Sequence, residues 1–300
     1  MSDNRVFEIH DLIFIIKKNF NNIFLLSLAI TIFAIFVTYL IPKTYTSSIL
    51  VKNNFNQPSN PLSSLSNQFG GLASMAGIDV NSSGSLTLEQ IEAQIISRDF
   101  INHLSKFENF DINLLIPKSY DEVSKSLSYD ETKYNFKEKK WLLTSQKPLK
   151  TERHKLFKDN IKLSLDKDNS FIKIEYRHLS PIVAQETLNL IVDEINNINR
   201  NKALKESSDT IDYLNSQLKK NSLNNVVKSI NSLTEVELNK LVIANIKSDY
   251  TLTIIDSAYL PEKKSHPRRS LVGMMTLILS FIILFLRVII IAFIKKQKLE

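Results

Sequence analysis

The sequence predicts an α+β membrane protein: two transmembrane helices flanking an extracytoplasmic α/β base domain with a long projecting helical hairpin. Three observations carry this. The densest apolar residues fall in two blocks near the ends, short alternating segments between them read as strands, and one helical pattern runs longer than a compact domain buries.

The first block, residues 19–41, contains no charged side chain, and from Phe24 onward FLLSLAITIFAIFVTYLI is nearly all apolar. At about 1.5 Å per residue it crosses a hydrocarbon core of about 30 Å once Asn22 and Ile23 join it. Residues 22–41 are therefore assigned to the first span, after a terminal segment 1–21. The second block, 270–294, is broken only by Arg287 and is followed by 295–300. Soluble core helices rarely run this long without a polar face. Lys17 and Lys18 stand where a signal peptide has its charged region. The apolar run, however, exceeds the usual length of about 7–15 residues, and Leu40-Ile41-Pro42-Lys43-Thr44 offers no small-x-small cleavage site. The block reads as a retained anchor.

Two spans place both termini on one side of the membrane and residues 42–269 on the other. Arg5, Lys17, Lys18, Lys295, Lys296 and Lys298 favour cytoplasmic ends, against Lys43, Lys263, Lys264, Arg268 and Arg269 on the other flank. The first helix carries most weight, and there two lysines precede the span and one follows it, so the ends are placed inside. Arg287 lies about two turns from Lys295 and Lys296, close enough to snorkel; a functional intramembrane charge is the other reading. The formal charge of +7 does not point to nucleic acid, because the basic residues are scattered among acids or sit beside the spans. The absence of cysteine excludes disulfide, zinc-cluster and thiol chemistry.

Between the anchors, residues 45–51 are rich in β-formers and read as a strand. Residues 53–85 collect Asn, Ser, Pro and Gly and read as a loop, whose Phe69, Leu72, Met75 and Ile78 are available to pack on a neighbour. Thr87 and Gln90 form a capping box for a helix whose apolar stripe, Leu88, Ile91, Ile95 and Ile96, runs on to Leu104. Short helices are expected around 121–127 and 130–143, with Trp141 as a core or surface anchor. Ile161, Leu163 and Leu165 alternate, as do Ile172, Ile174 and Tyr176, so a hairpin turns at 166–169.

Ser180 and Pro181 then open the long helix as N-cap and first helical residue. Ala184, Leu188, Ile191, Ile195 and Ile198 follow a 4-3-4-3 spacing, resumed by Leu204, Ile211, Leu214 and Leu218. A continuous helix over 181–220 would be about 60 Å long and should project from the base. Leu223, Val227, Ile230, Leu233, Leu238 and Leu241 give the antiparallel return, and 250–255 reads as a strand. With one stalk per chain, the stripe through Leu188, Ile191, Ile195 and Ile198 points to helix packing and self-association.

The chain resembles the Wzz-type chain-length determinants, or polysaccharide co-polymerases. The likeness rests on the anchor-to-anchor order, on Asp11-Leu12-Ile13 before the first span and Tyr45-Thr46-Ser47-Ser48-Ile49 after it, on Ser97-Arg98-Asp99-Phe100, on 171–184 with Ser180-Pro181, and on the proline-basic segment 255–269. Ser180 stands where the family commonly has Asp, Lys264 where it often has Pro, and the glycines common in the second span are reduced to Gly273. The resemblance implies a homo-oligomer in the bacterial inner membrane with a periplasmic domain, acting with a Wzy-type polymerase on lipid-linked polysaccharide, without catalysis or cofactor.

The residues give no competing chemistry. No phosphate loop for a kinase is present, and the few residues after the second span leave no room for one. His10, His103, His154, His178 and His266 lack i,i+4 or cysteine partners, and Asp166 and Asp168 sit in a turn with alternating lysine. The best functional candidate is the junction containing Pro261, Pro267, Arg268 and Arg269, where two prolines stiffen the approach to the second span and the basic residues can meet head groups. The leading function is a non-catalytic regulator of the chain length of O-antigen. Capsule or exopolysaccharide export with a separate kinase is a variant of it, and a two-anchor periplasmic sensor is the alternative from another class.

Overall fold

The computed structural model describes residues 9–54, 88–142, 149–166, 171–220 and 223–297. The chain divides into two compact units, Met1–Thr44 with Lys264–Glu300, and Tyr45–Lys263.

The first unit is a pair of antiparallel helices, α1 (Ile9–Leu40) and α8 (Arg269–Gln297). Within them Asn19–Leu40 and Arg269–Ile291 are long and apolar enough to cross a membrane. Small and polar side chains face inward: Ser27, Thr31 and Thr38 of α1 and Ser280 of α8 are buried, while Phe33, Phe36, Met274 and Leu279 are exposed. Small residues at the contact let the two helix backbones approach closely. Gly273 allows that approach, since a Cβ there would lie 3.1 Å from Ile35 Cδ1. The inward hydroxyls donate to carbonyls of their own helices: Ser27 to Phe24 and Thr31 to Ser27 at 2.8 Å, Thr38 to Ile35 at 2.7 Å. Phe20 meets Phe281 edge-on further along the pair.

The second unit is built on a four-stranded antiparallel sheet of order β6-β7-β1-β8. Its strands are β1 (Tyr45–Asn53), β6 (Ile161–Asp166), β7 (Phe171–His178) and β8 (Leu252–Asp256). Burial alternates along β1 and β7, as the two-residue period of a one-faced sheet requires. Ile49 pairs with Ile174 and Val51 with Ile172, which brings the buried residues of the two central strands onto one face. The register of β8 against β1 slips by one residue at Leu50 and Val51.

That face is covered by helices. α6 (Pro181–Leu218) lays Ala184, Leu188, Ile191, Val192 and Ile195 on it, and Ile91, Ile95, Phe100, Ile101 and Leu104 complete the core. Ser180 caps α6 by accepting the Val183 N–H, with Pro181 in the first turn. At 38 residues α6 is about 57 Å long. Beyond the sheet it packs on α7 (Asn224–Ile246), with Leu214 and Ile230 buried and Ser207 donating to Glu237 at 2.9 Å.

Several expectations are corrected. The helix expected to run unbroken to Leu104 is two, α2 (Leu88–Ile95) and α3 (Arg98–Leu104). Ser97 interrupts it: its extended backbone and side-chain oxygen, which accepts the Phe100 N–H, start a new helix. The two short helices expected after Phe110 are instead hairpins, β2 (Pro117–Asp121) with β3 (Ser126–Tyr129) and β4 (Tyr134–Asn135) with β5 (Lys140–Trp141). Asp121 and Asn135 accept backbone N–H groups two residues on, so their side chains make turns where helical spacing had suggested continuation. Two further helices, α4 (Phe110–Leu115) and α5 (Lys150–Asn160), lie where no helix was expected. Thr87 of the capping box, the loop residues Phe69, Leu72, Met75 and Ile78, and Asp168 lie outside the described residues.

Candidate functional site

The junction residues fall in two places. Pro261 belongs to the sheet unit and is buried there, at the end of a segment that leaves β8 and follows β1. Ser47 of β1 donates to the Tyr259 carbonyl at 2.6 Å, and Gln185 of α6 donates to the Ala258 carbonyl at 2.7 Å. Those bonds extend the sheet's order past its last strand, so the proline closes a held segment and not a free tether.

Pro267, Arg268 and Arg269 belong to the helix-pair unit. There the chain leaving α1 and the chain entering α8 are tied together by backbone. Thr44 N–H donates to the His266 carbonyl at 3.1 Å, and Ser265 N–H donates to the Thr44 carbonyl at 2.8 Å. The Arg269 guanidinium sits over the Tyr39 ring, 3.6 Å from its centroid, in a cation–π contact between the facing ends of α1 and α8. Arg269 Nε and Thr44 Oγ1 are buried without a hydrogen-bond partner among the described residues. Arg268 is exposed and Pro267 is half-buried.

The four helix-packing residues are brought together, inside the subunit. Leu188, Ile191 and Ile195 are fully buried against the sheet, and Ile198 is partly buried beside them. Leu188, Ile191 and Ile195 offer no surface to a second chain. On the return helix three apolar residues remain open: Leu238 is 47% exposed, Val242 48% and Ile246 76%. Spaced by four, they lie along one side of α7. The 4-3-4-3 spacing coincides with this buried face, because an apolar stripe makes a helix amphipathic whichever partner covers it.

Three of the histidines, His103, His154 and His178, are engaged in structure. His103 pairs with Glu194 at 2.5 Å between α3 and α6, and His154 bonds the Ile96 carbonyl at 2.8 Å. His178 is buried, its Nε2 2.8 Å from the Asn113 carbonyl and its Nδ1 accepting the Ser180 N–H at 3.0 Å. Those contacts specify the neutral Nε2–H tautomer, and burial pushes its pKa below the ordinary histidine value, the Asn113 bond opposing. Asp166 ends β6, opposite Phe171. Trp141 stacks edge-on with Tyr134. Among the described residues no three His, Asp or Glu side chains are grouped to hold a metal. What the junction offers chemically is cationic donors, suited to anions.

Residues 6–106 match the Wzz family, described as chain length determinant protein. Among solved structures, a full-length bacterial polysaccharide co-polymerase aligns at 9% identity and a TM-score of 0.37, covering 96% of this chain and 99% of that one. A fragment of WzzB, the polysaccharide co-polymerase from Salmonella Typhimurium, aligns at 13% identity and a TM-score of 0.27, covering 75% and 100%. No curated protein sequence matches.

Proposed function

We propose that this chain, which resembles the Wzz-type chain-length determinants and matches their family over residues 6–106, is a non-catalytic regulator of surface-polysaccharide length held in a bacterial inner membrane by α1 and α8. The observation that carries the reading is this family match together with an apolar helix on either side of a separately folded α+β domain. The helix pair supports the membrane placement: Ser27, Thr31, Thr38 and Ser280 are buried together with Ile23 and Leu284, while most of its large apolar side chains face outward. Both ends are cytoplasmic and 42–269 periplasmic in this reading. The chain acts with a Wzy-type polymerase on lipid-linked polysaccharide, O-antigen being the leading product, and it positions or restrains the polymerase without cutting or extending glycan.

The domain self-associates in this reading. The open stripe of Leu238, Val242 and Ile246 supports it, since such a stripe is stabilised when a second copy covers it.

The test is deletion of the gene followed by gel analysis of surface glycans. The distribution of lengths changes while polymer persists. An unchanged distribution, or purified protein that shortens glycan unaided, overturns the reading. Because the chain has no cysteine, single introduced cysteines read the topology directly. Labelling by an impermeant outer reagent is expected within residues 55–85 and not at either end.

A further inference from the structure

We propose that the tie between α1 and α8 is a binding site for the phosphate of an anionic lipid head group, with Arg269 and Arg268 as its donors and Lys264 beside them. The inference rests on the reading that the helix pair spans a membrane, and goes beyond it by assigning a ligand.

Four observations converge on the same few residues. First, the charge is one-sided. Lys43, Lys264, Arg268 and Arg269 lie in the strapped segments, while residues 12–44 and 263–299 contain no Asp or Glu. Among the described residues, Lys264, Arg268 and Arg269 have no ion pair. Second, Arg269 is oriented. Stacking on Tyr39 holds the plane of its guanidinium, so less side-chain freedom is lost when a ligand binds. Third, a donor is left over. Arg269 Nε is buried without an acceptor, and a buried unbonded donor is costly unless something supplies one. Fourth, the segments that present these cations are tied to each other, through Thr44 with Ser265 and His266, so the groups are held before any ligand arrives.

The chemistry that answers a planar fork of N–H donors, a second arginine and a nearby ammonium is a phosphate oxygen set. The place favours a lipid as its source. Arg269 begins a segment apolar enough to span, and Tyr39 stands next to the end of the other, so both lie at head-group depth, where tyrosine and arginine commonly anchor. Cations at this end run against the usual distribution if 42–269 is periplasmic, and an anionic head group offsets them there.

Native mass spectrometry of the full chain in a mild detergent tests this, with phosphatidylglycerol, phosphatidylcholine and inorganic phosphate offered separately. The wild type retains phosphatidylglycerol in preference to phosphatidylcholine. Each of Arg268→Gln and Arg269→Gln lowers its occupancy about fivefold, and Arg269→Lys, which keeps the charge and loses the fork, retains part of it. Arg287→Gln, at the other end of α8, leaves it unchanged. Oligomer mass and helical content confirm that each variant is folded. Equal retention by wild type and the Arg268→Gln, Arg269→Gln double variant overturns the site. Indifference between the two lipids, or binding of inorganic phosphate in place of lipid, overturns its assignment to an anionic head group. None of these readouts depends on glycan length or on which leaflet the site faces, so the inference and the proposed function fail separately.

Discussion

Asn196 of α6 completes the backbone of β8: its Oδ1 accepts the N–H groups of Thr251 and Leu252, each at 2.8 Å, and its Nδ2 donates to the Leu252 carbonyl at 2.9 Å. β8 is an edge strand, and the register slip at Leu50 and Val51 interrupts its ladder with β1. One buried amide on the long helix thus supplies what a neighbouring strand would otherwise supply.

Asn196→Leu keeps the branched shape of the side chain and leaves two donors and one acceptor buried without partners. It is expected to cost about 3 kcal/mol, against less for Asn196→Asp, which retains an acceptor for both N–H groups. Denaturant unfolding of the full chain in detergent measures both. A loss for Asn196→Leu below that for exposed Asn245→Leu would show that the bonds contribute nothing.

Gly273 sets how closely the two apolar helices approach. Gly273→Leu should push Ile35 away and loosen the pair, while Gly273→Ala, whose Cβ meets only the mobile end of that side chain, should be mild. With cysteines at Phe20 and Phe281, whose rings lie 6.0 Å apart, oxidative cross-linking should fall severalfold in the leucine variant. Undiminished cross-linking there would mean that the pairing does not depend on this contact.

His178 links folding to pH. Its folded pKa is depressed by burial, so its contribution to stability is complete above the free-histidine value of about 6.5 and is lost as pH falls through the lower folded pKa. His178→Gln, which can donate to Asn113 and accept from Ser180 in the same way, should flatten that part of the stability profile. Thermal melts between neutral and mildly acidic pH decide it, and an equal slope in the two proteins would assign the dependence to other groups.

Ile191 and Leu238 are both apolar and on the same hairpin, yet opposite outcomes are expected from changing them. Ile191→Asp puts an unpaired charge into the core and should leave little folded protein. Leu238→Lys with Val242→Lys should leave the fold intact and reduce the oligomer mass by light scattering. Retention of the wild-type mass by the double lysine variant would remove the α7 stripe from the self-association surface.

At the junction, changes to Pro261, Pro267, Arg268 or Arg269 should shift the glycan length distribution further than changes to Asp166 and Asp168. Gel profiles of cells carrying folded variants compare them. Loss of length control from the Asp166 and Asp168 changes alone would point to chemistry at those carboxylates.

Features with a local cause were legible in the sequence. Two long apolar blocks specify apolar helices, because backbone groups away from water must bond within their own segment. The alternation at Ile161, Leu163 and Leu165 and at Ile172, Ile174 and Tyr176 specifies two strands, and Ser180-Pro181 specifies where α6 begins. The candidate cations of the junction were also legible, since a cluster such as Lys263, Lys264, Arg268 and Arg269 is a property of adjacent residues. Some local causes were masked by the apolar spacing: Ser97 breaks a helix that spacing alone would continue, and Asp121 and Asn135 turn helical-looking stretches into hairpins through bonds that compete with helix formation. Tertiary structure decided the rest. The stacking of Arg269 on Tyr39, the bonding of Asn196 to β8, and the burial of Ile191 while Leu238 stays open each join residues far apart in the chain or depend on which surface arrives to cover them. A periodic pattern fixes which side of an element is apolar, and the partner that covers that side is chosen by the folded chain as a whole.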